Sequence, residues 1–129
     1  MKETILLFNI TDQQTRRKLE RIFLPLKMRI RYISTSQYHQ TLSVLCGLEE
    51  PNNQPAAFPP ETTPTFEDPM MIFAGLSDQK LDLVLTALRA QKIFIPYKGI
   101  LTPTNCAWTP VQCFVELKKE HEQMHHLQS

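Results

Sequence analysis

Residues 5–8 read ILLF and residues 70–73 read MMIF, and these two apolar quartets decide the fold. Each is short enough for a strand and apolar at every position, so both faces of that strand must be covered by other elements. Strands covered on both faces lie in the interior of a sheet. The two quartets therefore predict the two central strands of one sheet.

A helix is predicted after each quartet. Residues 11–13 (TDQ) and residues 77–79 (SDQ) are typical helix starts, with Thr11 and Gln14 forming a predicted capping box and Ser77 as the second predicted cap. Apolar residues then recur at helical spacing in both segments. They are Leu19, Ile22, Phe23 and Leu26 in the first, and Leu81, Val84, Leu85 and Leu88 in the second.

The two halves of the chain share this order of elements. Aligning Phe8 with Phe73 also aligns Lys27 with Lys92 and Tyr32 with Tyr97, and an aromatic residue, Tyr38 or Trp108, precedes a last helix in each half. This pattern predicts a single domain, 1–129, made of two βαβα repeats, 1–48 and 69–126. Residues 49–68 hold five of the ten prolines and predict a semi-rigid linker between them.

The second strand of each half is predicted at a sheet edge. Arg29 and Arg31 alternate with apolar residues in the first half, and Pro96 interrupts Ile93–Ile95 in the second. Charges and proline are typical of edge strands. We therefore predict an α/β fold with one four-stranded sheet of order 2-1-3-4, doubly wound and flanked by helices. A ferredoxin-like plait is the alternative, and strand direction, parallel or mixed, stays open.

Composition excludes several classes of protein. The chain has 129 residues, 42% of them hydrophobic and 21% charged, which is ordinary for one globular domain. No apolar run reaches the roughly 20 residues that span a bilayer. Its three cysteines, Cys46, Cys106 and Cys113, include no Cys-x-x-Cys pair, which favours free thiols in a reducing cytoplasm.

The net charge of +1 conceals a basic first quarter. This region could contact nucleic acid, but Tyr32 is the one aromatic residue close to its basic side chains, and single-strand binding uses several. A solvated basic face is therefore favoured over a nucleic-acid site. The residues concerned are Arg16, Arg17, Lys18, Arg21, Arg29 and Arg31.

Residues 121–125 read HEQMH and match the H-E-x-x-H motif of zinc metalloproteases. On a helix, His121 and His125 could share a zinc ion, with Glu122 as general base. The given sequence offers no evident third ligand, and histidines near a helix C-terminus are also favoured by the helix dipole. We therefore predict neither a metal site nor a cofactor, with His121 and His125 as the only metal candidates.

The stretch KGILTPTNCAW, residues 98–108, is the main candidate for a ligand site. It is predicted to join the last strand to the last helix, whose start has Thr109 as cap, Pro110 in the first turn and Gln112 closing a capping box. Exposed N–H groups at that helix start could hold an anion. The candidate ligand-binding residues are Lys98, Thr102, Thr104, Asn105 and Trp108. The alternative is a purely structural turn.

No catalytic constellation is evident in the sequence. With three glycines, the chain cannot build a glycine-rich phosphate loop. We predict a non-enzymatic, cytoplasmic binding or regulatory module that recognises a small anionic ligand or a protein partner. A small enzyme acting on an anionic substrate at the 98–108 loop is the alternative, with Lys98 as electrostatic clamp and His39 as base. The ligand, the partner and any homo-oligomer stay open.

The second half of the sequence resembles a known family. The motif K-x-x-x-T-P-T-N-x-x-W, followed by a helix ending L-x-x-E-H, is similar to an uncharacterised bacterial family, domain of unknown function 3783. The motif falls on Lys98, Thr102, Pro103, Thr104, Asn105, Trp108, Leu117, Glu120 and His121. The resemblance covers residues 70–121, implies that Glu120 and His121 belong to that helix ending, and supplies no function.

Overall fold

A computed structural model describes residues 2–49 and 63–127 of the chain, with side chains up to residue 123. The first half contains β1 (Thr4–Phe8), α1 (Gln13–Phe23), β2 (Arg29–Ile33) and α2 (Leu42–Leu45). The second half contains β3 (Met70–Ala74), α3 (Asp78–Ala90), β4 (Tyr97–Ile100) and α4 (Pro110–Leu127). Single-turn 3₁₀ helices, Thr35–Gln37 and Asn105–Ala107, precede α2 and α4.

The four strands form one sheet in the order β2-β1-β3-β4, which confirms the predicted order and the two central strands. β1 runs parallel to β2, and β3 runs parallel to β4, whereas β1 and β3 are antiparallel. The sheet is therefore mixed. The carboxyl ends of β1 and β2 lie at the opposite end of the sheet from those of β3 and β4, so the four strands do not share one carboxyl edge.

Helices cover both faces of the sheet. Apolar side chains of α1 and α3 pack on one face, here called the α1/α3 face, with Ile5, Leu7, Met71 and Phe73 beneath them. Side chains of α2 and α4 pack on the other face, here called the α2/α4 face, with Leu6, Phe8, Met70 and Ile72 beneath them. All eight of these strand residues are at most 2% exposed.

The α2/α4 face needs more cover than its helices supply, because α2 is a single turn. Phe66 fills part of this space, although it lies in the predicted linker. It is 8% exposed, and its ring stacks on those of Phe114, at 4.5 Å, and Tyr38, at 5.2 Å. One end of the predicted linker therefore belongs to the core. Residues 50–62 of that linker lie outside the described residues.

Two of the three predicted helix caps are confirmed. Ser77 Oγ accepts from the backbone N–H of Lys80, and Thr109 and Gln112 form the reciprocal capping box at the start of α4. The predicted Thr11 cap is wrong by one residue. The cap is Asp12, whose carboxylate accepts from both the backbone N–H of Thr15, at 3.0 Å, and its hydroxyl, at 2.8 Å. These hydrogen bonds lower the pKa of Asp12.

The first helix of each half ends in the same way. Lys27 and Lys92 both adopt a left-handed backbone, with φ of 59° and 58°. In each case the lysine N–H and the next N–H bond back to carbonyls of the last helical turn, which is a Schellman motif. The bonds are Lys27 to Leu24, Met28 to Phe23, Lys92 to Arg89 and Ile93 to Leu88. The halves therefore share this local geometry, and duplication from one ancestral unit stays a prediction.

The alignment of the two halves on Phe8 and Phe73 is wrong by one residue. Phe8 faces the α2/α4 side and Phe73 the α1/α3 side, so the residue equivalent to Phe8 is Ala74. The next residues, Asn9 and Gly75, both have positive φ, which supports this register. A shift of one residue moves every side chain of a strand to the opposite face of the sheet. Because both quartets are apolar at every position, their sequences do not show which residue points to which face.

The position of the last strand also differs from the prediction. Ile93–Ile95 are not in a strand, and β4 begins at Tyr97, directly after Pro96. Proline has no N–H for the ladder and restricts the residue before it. In the first half, Met28 alone separates the Schellman lysine from β2, whereas residues 93–96 separate it from β4. The connection between α3 and β4 is therefore the longer one, and the halves differ at this point.

Candidate functional site

The loop after β4 is a self-contained turn. The side-chain oxygen of Asn105 accepts from the N–H of Thr102 at 2.8 Å, and the hydroxyl of Thr102 accepts from the N–H of Asn105 at 3.1 Å. The Asn105 amide also donates to the carbonyl of Ile100 at 2.9 Å. This set of hydrogen bonds fixes the chain between the end of β4 and the 3₁₀ helix.

The remaining predicted loop residues do not converge on one point. Thr104 is exposed, whereas Trp108 packs against the core cluster of the α2/α4 face and its carbonyl accepts from the N–H of Leu42 at 2.9 Å. Thr102 and Asn105 are close together, but their bonded groups serve the turn. The turn itself accounts for these hydrogen bonds without a ligand. Ligand binding therefore stays a prediction for Thr102, Thr104, Asn105 and Trp108.

Lys98 lies in β4, and its side chain points to the α1/α3 face, whereas Trp108 packs on the α2/α4 face. It is opposite Met71, a residue of the α1/α3 face, and paired residues of neighbouring strands point to the same face. His39, the proposed base of the enzyme alternative, lies between Tyr38 and Leu42, which both pack on the α2/α4 face. The sheet therefore separates the lysine from the histidine that would have to act with it.

An open groove on the α1/α3 face lies beside Lys98, between α3 and β4, and we call it the apolar groove. Its volume is about 590 Å³, within the usual range of ligand sites in proteins. Phe94 stands at its edge with 80% of its surface exposed, while neighbouring Ile95 is only 5% exposed. The lining residues are Leu85, Leu88, Arg89, residues 93–96 and Lys98.

Two cations line this apolar groove. The Lys98 ammonium donates to the carbonyl of Ile95 at 2.5 Å, and partial burial lowers the pKa of Lys98. Arg89 donates to the hydroxyl of Thr86 at 3.5 Å. Within residues 2–49 and 63–123, neither cation forms an ion pair with a carboxylate. A partly desolvated ammonium without a counterion is stabilised by any anion that approaches it.

A smaller, polar cavity of about 270 Å³ lies beyond Phe94. It includes Asp12 and Lys18 of the α1 region, and Lys92. Residues 93–95 line both cavities, so the longer connection between α3 and β4 shapes both of them. The sequence pattern predicts Lys98 as a site residue but not Phe94, because Phe94 lies in an apolar run that resembles a core strand. The available signal was Pro96, which ends any strand that includes residues 93–95.

The basic residues of the first half do not form one surface. Arg16 lies over the ring of Tyr32 at 4.3 Å and donates to the carbonyl of Ile10 at 2.6 Å. Arg31 points to the other face, where it donates to the carbonyl of Leu45 at the end of α2. These two side chains thus have internal roles on opposite sides of the sheet. Arg17, Lys18 and Arg21 remain exposed on α1.

The H-E-x-x-H residues lie on α4. The His121 ring makes an edge contact with Tyr97 at 5.6 Å between ring centroids, so His121 packs beside β4. Among the residues whose side chains are described, no cluster of three His, Cys, Asp or Glu side chains could hold a metal ion. The side chain of His125 lies outside that set.

The three cysteines differ in accessibility, which predicts a clear difference in reactivity. Burial raises the pKa of Cys46 to about 11 and that of Cys113 to about 12, whereas Cys106 is partly exposed. Because the thiolate is the reactive form, we expect Ellman's reagent near neutral pH to modify Cys106 rapidly and the other two only after unfolding. Cys106→Ser should remove the rapid phase. Rapid reaction that persists in this variant would contradict the predicted burial.

Comparison with known proteins adds a family match over part of the chain but no activity. Residues 69–124 match the model of a domain of unknown function, DUF3783, which confirms the resemblance predicted from the motif at Lys98–Trp108. Neither a curated protein nor a solved structure shows significant similarity to the chain. No helix in the described parts of the chain has the length and apolar character needed to cross a membrane.

Proposed function

We propose that this chain is a non-enzymatic docking module whose apolar groove receives an acidic, apolar segment of a partner protein. One observation carries the proposal. Lys98 and Arg89 line the groove without a carboxylate partner in the described residues, and Phe94 is 80% exposed at its edge. Apolar walls with two cations are complementary to apolar side chains interspersed with Asp or Glu.

The exposure of Phe94 favours a protein partner over a small molecule. Small-molecule sites usually enclose most of the ligand surface, whereas this aromatic side chain stands at the edge of an open groove. Aromatic residues are enriched among the side chains that contribute most to protein interfaces. Burying a Phe side chain stabilises a complex by roughly 1.5–3 kcal/mol, so Phe94 offers a large gain.

The position of the groove supports the same proposal. It lies where the α3–β4 connection is longer than its counterpart in the first half, and the exposed Phe94 belongs to this connection. Packing of the core does not account for an exposed aromatic residue. The three cysteines are free, which agrees with the cytoplasm as the proposed location.

Selection of random dodecapeptides displayed on phage tests the proposal. We expect peptides that combine Asp or Glu with aliphatic or aromatic residues. Lys98→Glu and Phe94→Ala should each weaken their binding at least tenfold, because the first reverses a charge and the second removes the exposed ring. Matched controls are Lys118→Glu on α4 and Leu24→Ala after α1, both exposed and away from the groove.

Two results would count against this function. Selected peptides that bind Lys98→Glu as tightly as the original chain would exclude the groove as their site. If no peptide is selected, but decanoate raises the melting temperature of the original chain and not that of Lys98→Glu, the groove binds a small amphipathic anion instead. The same decanoate titration is repeated with Asn105→Ala. A rise in melting temperature that persists in this variant places the anion at the groove and not at the turn formed by Thr102 and Asn105.

A further inference from the structure

The outer edge of β4 presents main-chain groups beside the apolar groove. The N–H of Leu101 donates to the carbonyl of Phe73, so Leu101 points its main-chain groups toward β3. Successive residues of a strand point these groups to alternate sides. Gly99 therefore also points toward β3, and Lys98 and Ile100 point theirs away from the sheet.

Asn105 limits this edge at one end. Its amide donates to the carbonyl of Ile100 at 2.9 Å, which occupies one of the outward groups. Within the described residues, no other hydrogen bond reaches this edge, which leaves three outward groups for a guest strand: the N–H and C=O of Lys98, and the N–H of Ile100. A guest can therefore pair over only a few residues, centred on Lys98.

The opposite edge of the sheet is protected differently. Charged side chains at Arg29 and Arg31 alternate along β2, and Arg31 donates to the carbonyl of Leu45 at the end of α2. Charged side chains on an edge strand discourage pairing with another chain. β4 carries a single charge, Lys98, and its Ile100 is 50% exposed. The β4 edge is thus the better acceptor for a guest strand.

We infer that β4 binds an extended segment of the partner protein as a fifth strand, with an acidic residue opposite Lys98. Addition of a strand to a sheet edge combines main-chain hydrogen bonds with recognition of alternate side chains. The guest residue opposite Lys98 points to the α1/α3 face, where an acidic side chain completes an opposite-charge pair. The guest residues two positions before and after this acidic residue reach toward Phe94 and Ile100. This mode of binding rests on the proposed function.

The pentapeptide acetyl-Val-Thr-Glu-Thr-Val-amide, with a fluorescent label, is a direct probe of this mode. Its glutamate can face Lys98 while both valines face the apolar side chains of the same surface. We expect weak, saturable binding to the whole chain, measured by fluorescence anisotropy. Lys98→Glu should weaken that binding at least tenfold, and changing the peptide glutamate to lysine should restore it.

Methylation of the peptide nitrogens distinguishes strand addition from side-chain docking. The glutamate and the threonine that follows it each carry one N–H group. One of these groups faces β4 and the other faces solvent, because main-chain groups alternate along a strand. We expect N-methylation of one to weaken binding at least tenfold and N-methylation of the other to change it little. If both methylated peptides bind like the parent, strand addition is wrong while docking at the groove survives.

Two other results would overturn the inference. Failure of the parent pentapeptide to bind at millimolar concentration would remove strand addition, and the phage selection would then decide the proposed function separately. The second result is a dimer of the chain alone, seen by sedimentation, that Ile100→Asp dissociates. A second copy would then occupy the β4 edge, and the fifth strand would not come from another protein.

Discussion

Replacing Phe66 by Ala is expected to lower the free energy of unfolding by about 3–5 kcal/mol. Phe66 is 8% exposed and lies between Tyr38 and Phe114, nearly parallel to the Phe114 ring, with 8° between the ring planes. Removing its ring leaves a cavity that the neighbouring aromatic rings cannot fill without losing their own contacts. Urea unfolding followed by circular dichroism measures the change.

Phe94→Ala is the matched control for this prediction. The same side chain is removed, but Phe94 is 80% exposed, so the free energy of unfolding should change by at most about 0.5 kcal/mol. Similar effects of the two substitutions would show that Phe66 is not in the core. Phe66→Leu should fall between the two, because it keeps much of the buried volume.

Replacing Gly99 by Val is expected to destabilise the fold by about 1–3 kcal/mol. A Cβ atom at Gly99 would lie 3.1 Å from Ile72 Cδ1, which is closer than relaxed packing allows, and 3.4 Å from Leu117 Cδ1, already at van der Waals contact. The two further methyl groups of Val would push α4 away from β4. Valine favours strands intrinsically, so destabilisation would show that packing, and not propensity, dominates at this position.

A size exchange tests the cause of that loss. Leu117→Ala opens space beside Gly99, so the double variant should be more stable than the sum of the two single effects predicts. Ile100→Val, on the exposed side of the same strand, is the neutral control. Strict additivity of the Gly99 and Leu117 variants would exclude the contact as the source of the destabilisation.

Periodicity and composition predicted the arrangement of the sheet. The apolar quartets identified β1 and β3 as central, and Arg29, Arg31 and Pro96 identified the edges. These signals work because burial of a strand on both faces requires apolar residues at every position. The same property hid the register, because nothing in ILLF or MMIF distinguishes one face from the other. Phe8 and Phe73 were therefore aligned although they point to opposite sides.

The candidate site was only partly predictable. Polar residues in the 102–108 loop resemble a binding site in the sequence, yet Thr102 and Asn105 bond to each other and to the backbone. Lys98 was identified, but its neighbour in the groove, Arg89, lies on another element. That both residues line one groove depends on how α3 packs against the sheet, which spacing along the chain does not reveal. Phe94 was missed because its sequence context suggests a strand.

The antiparallel pairing of β1 with β3 has a consequence for how this chain tolerates changes in length. Leu6 pairs with Arg31 in its own half and with Ile72 in the other half. The pairing of β1 with β3 therefore closes a chain segment more than twice as long as the segment closed by the pairing of β1 with β2. Loop-closure entropy grows only logarithmically, and this difference amounts to roughly 1 kcal/mol. Insertions or deletions between the halves should therefore be inexpensive over evolution, provided that Phe66 still reaches its aromatic neighbours.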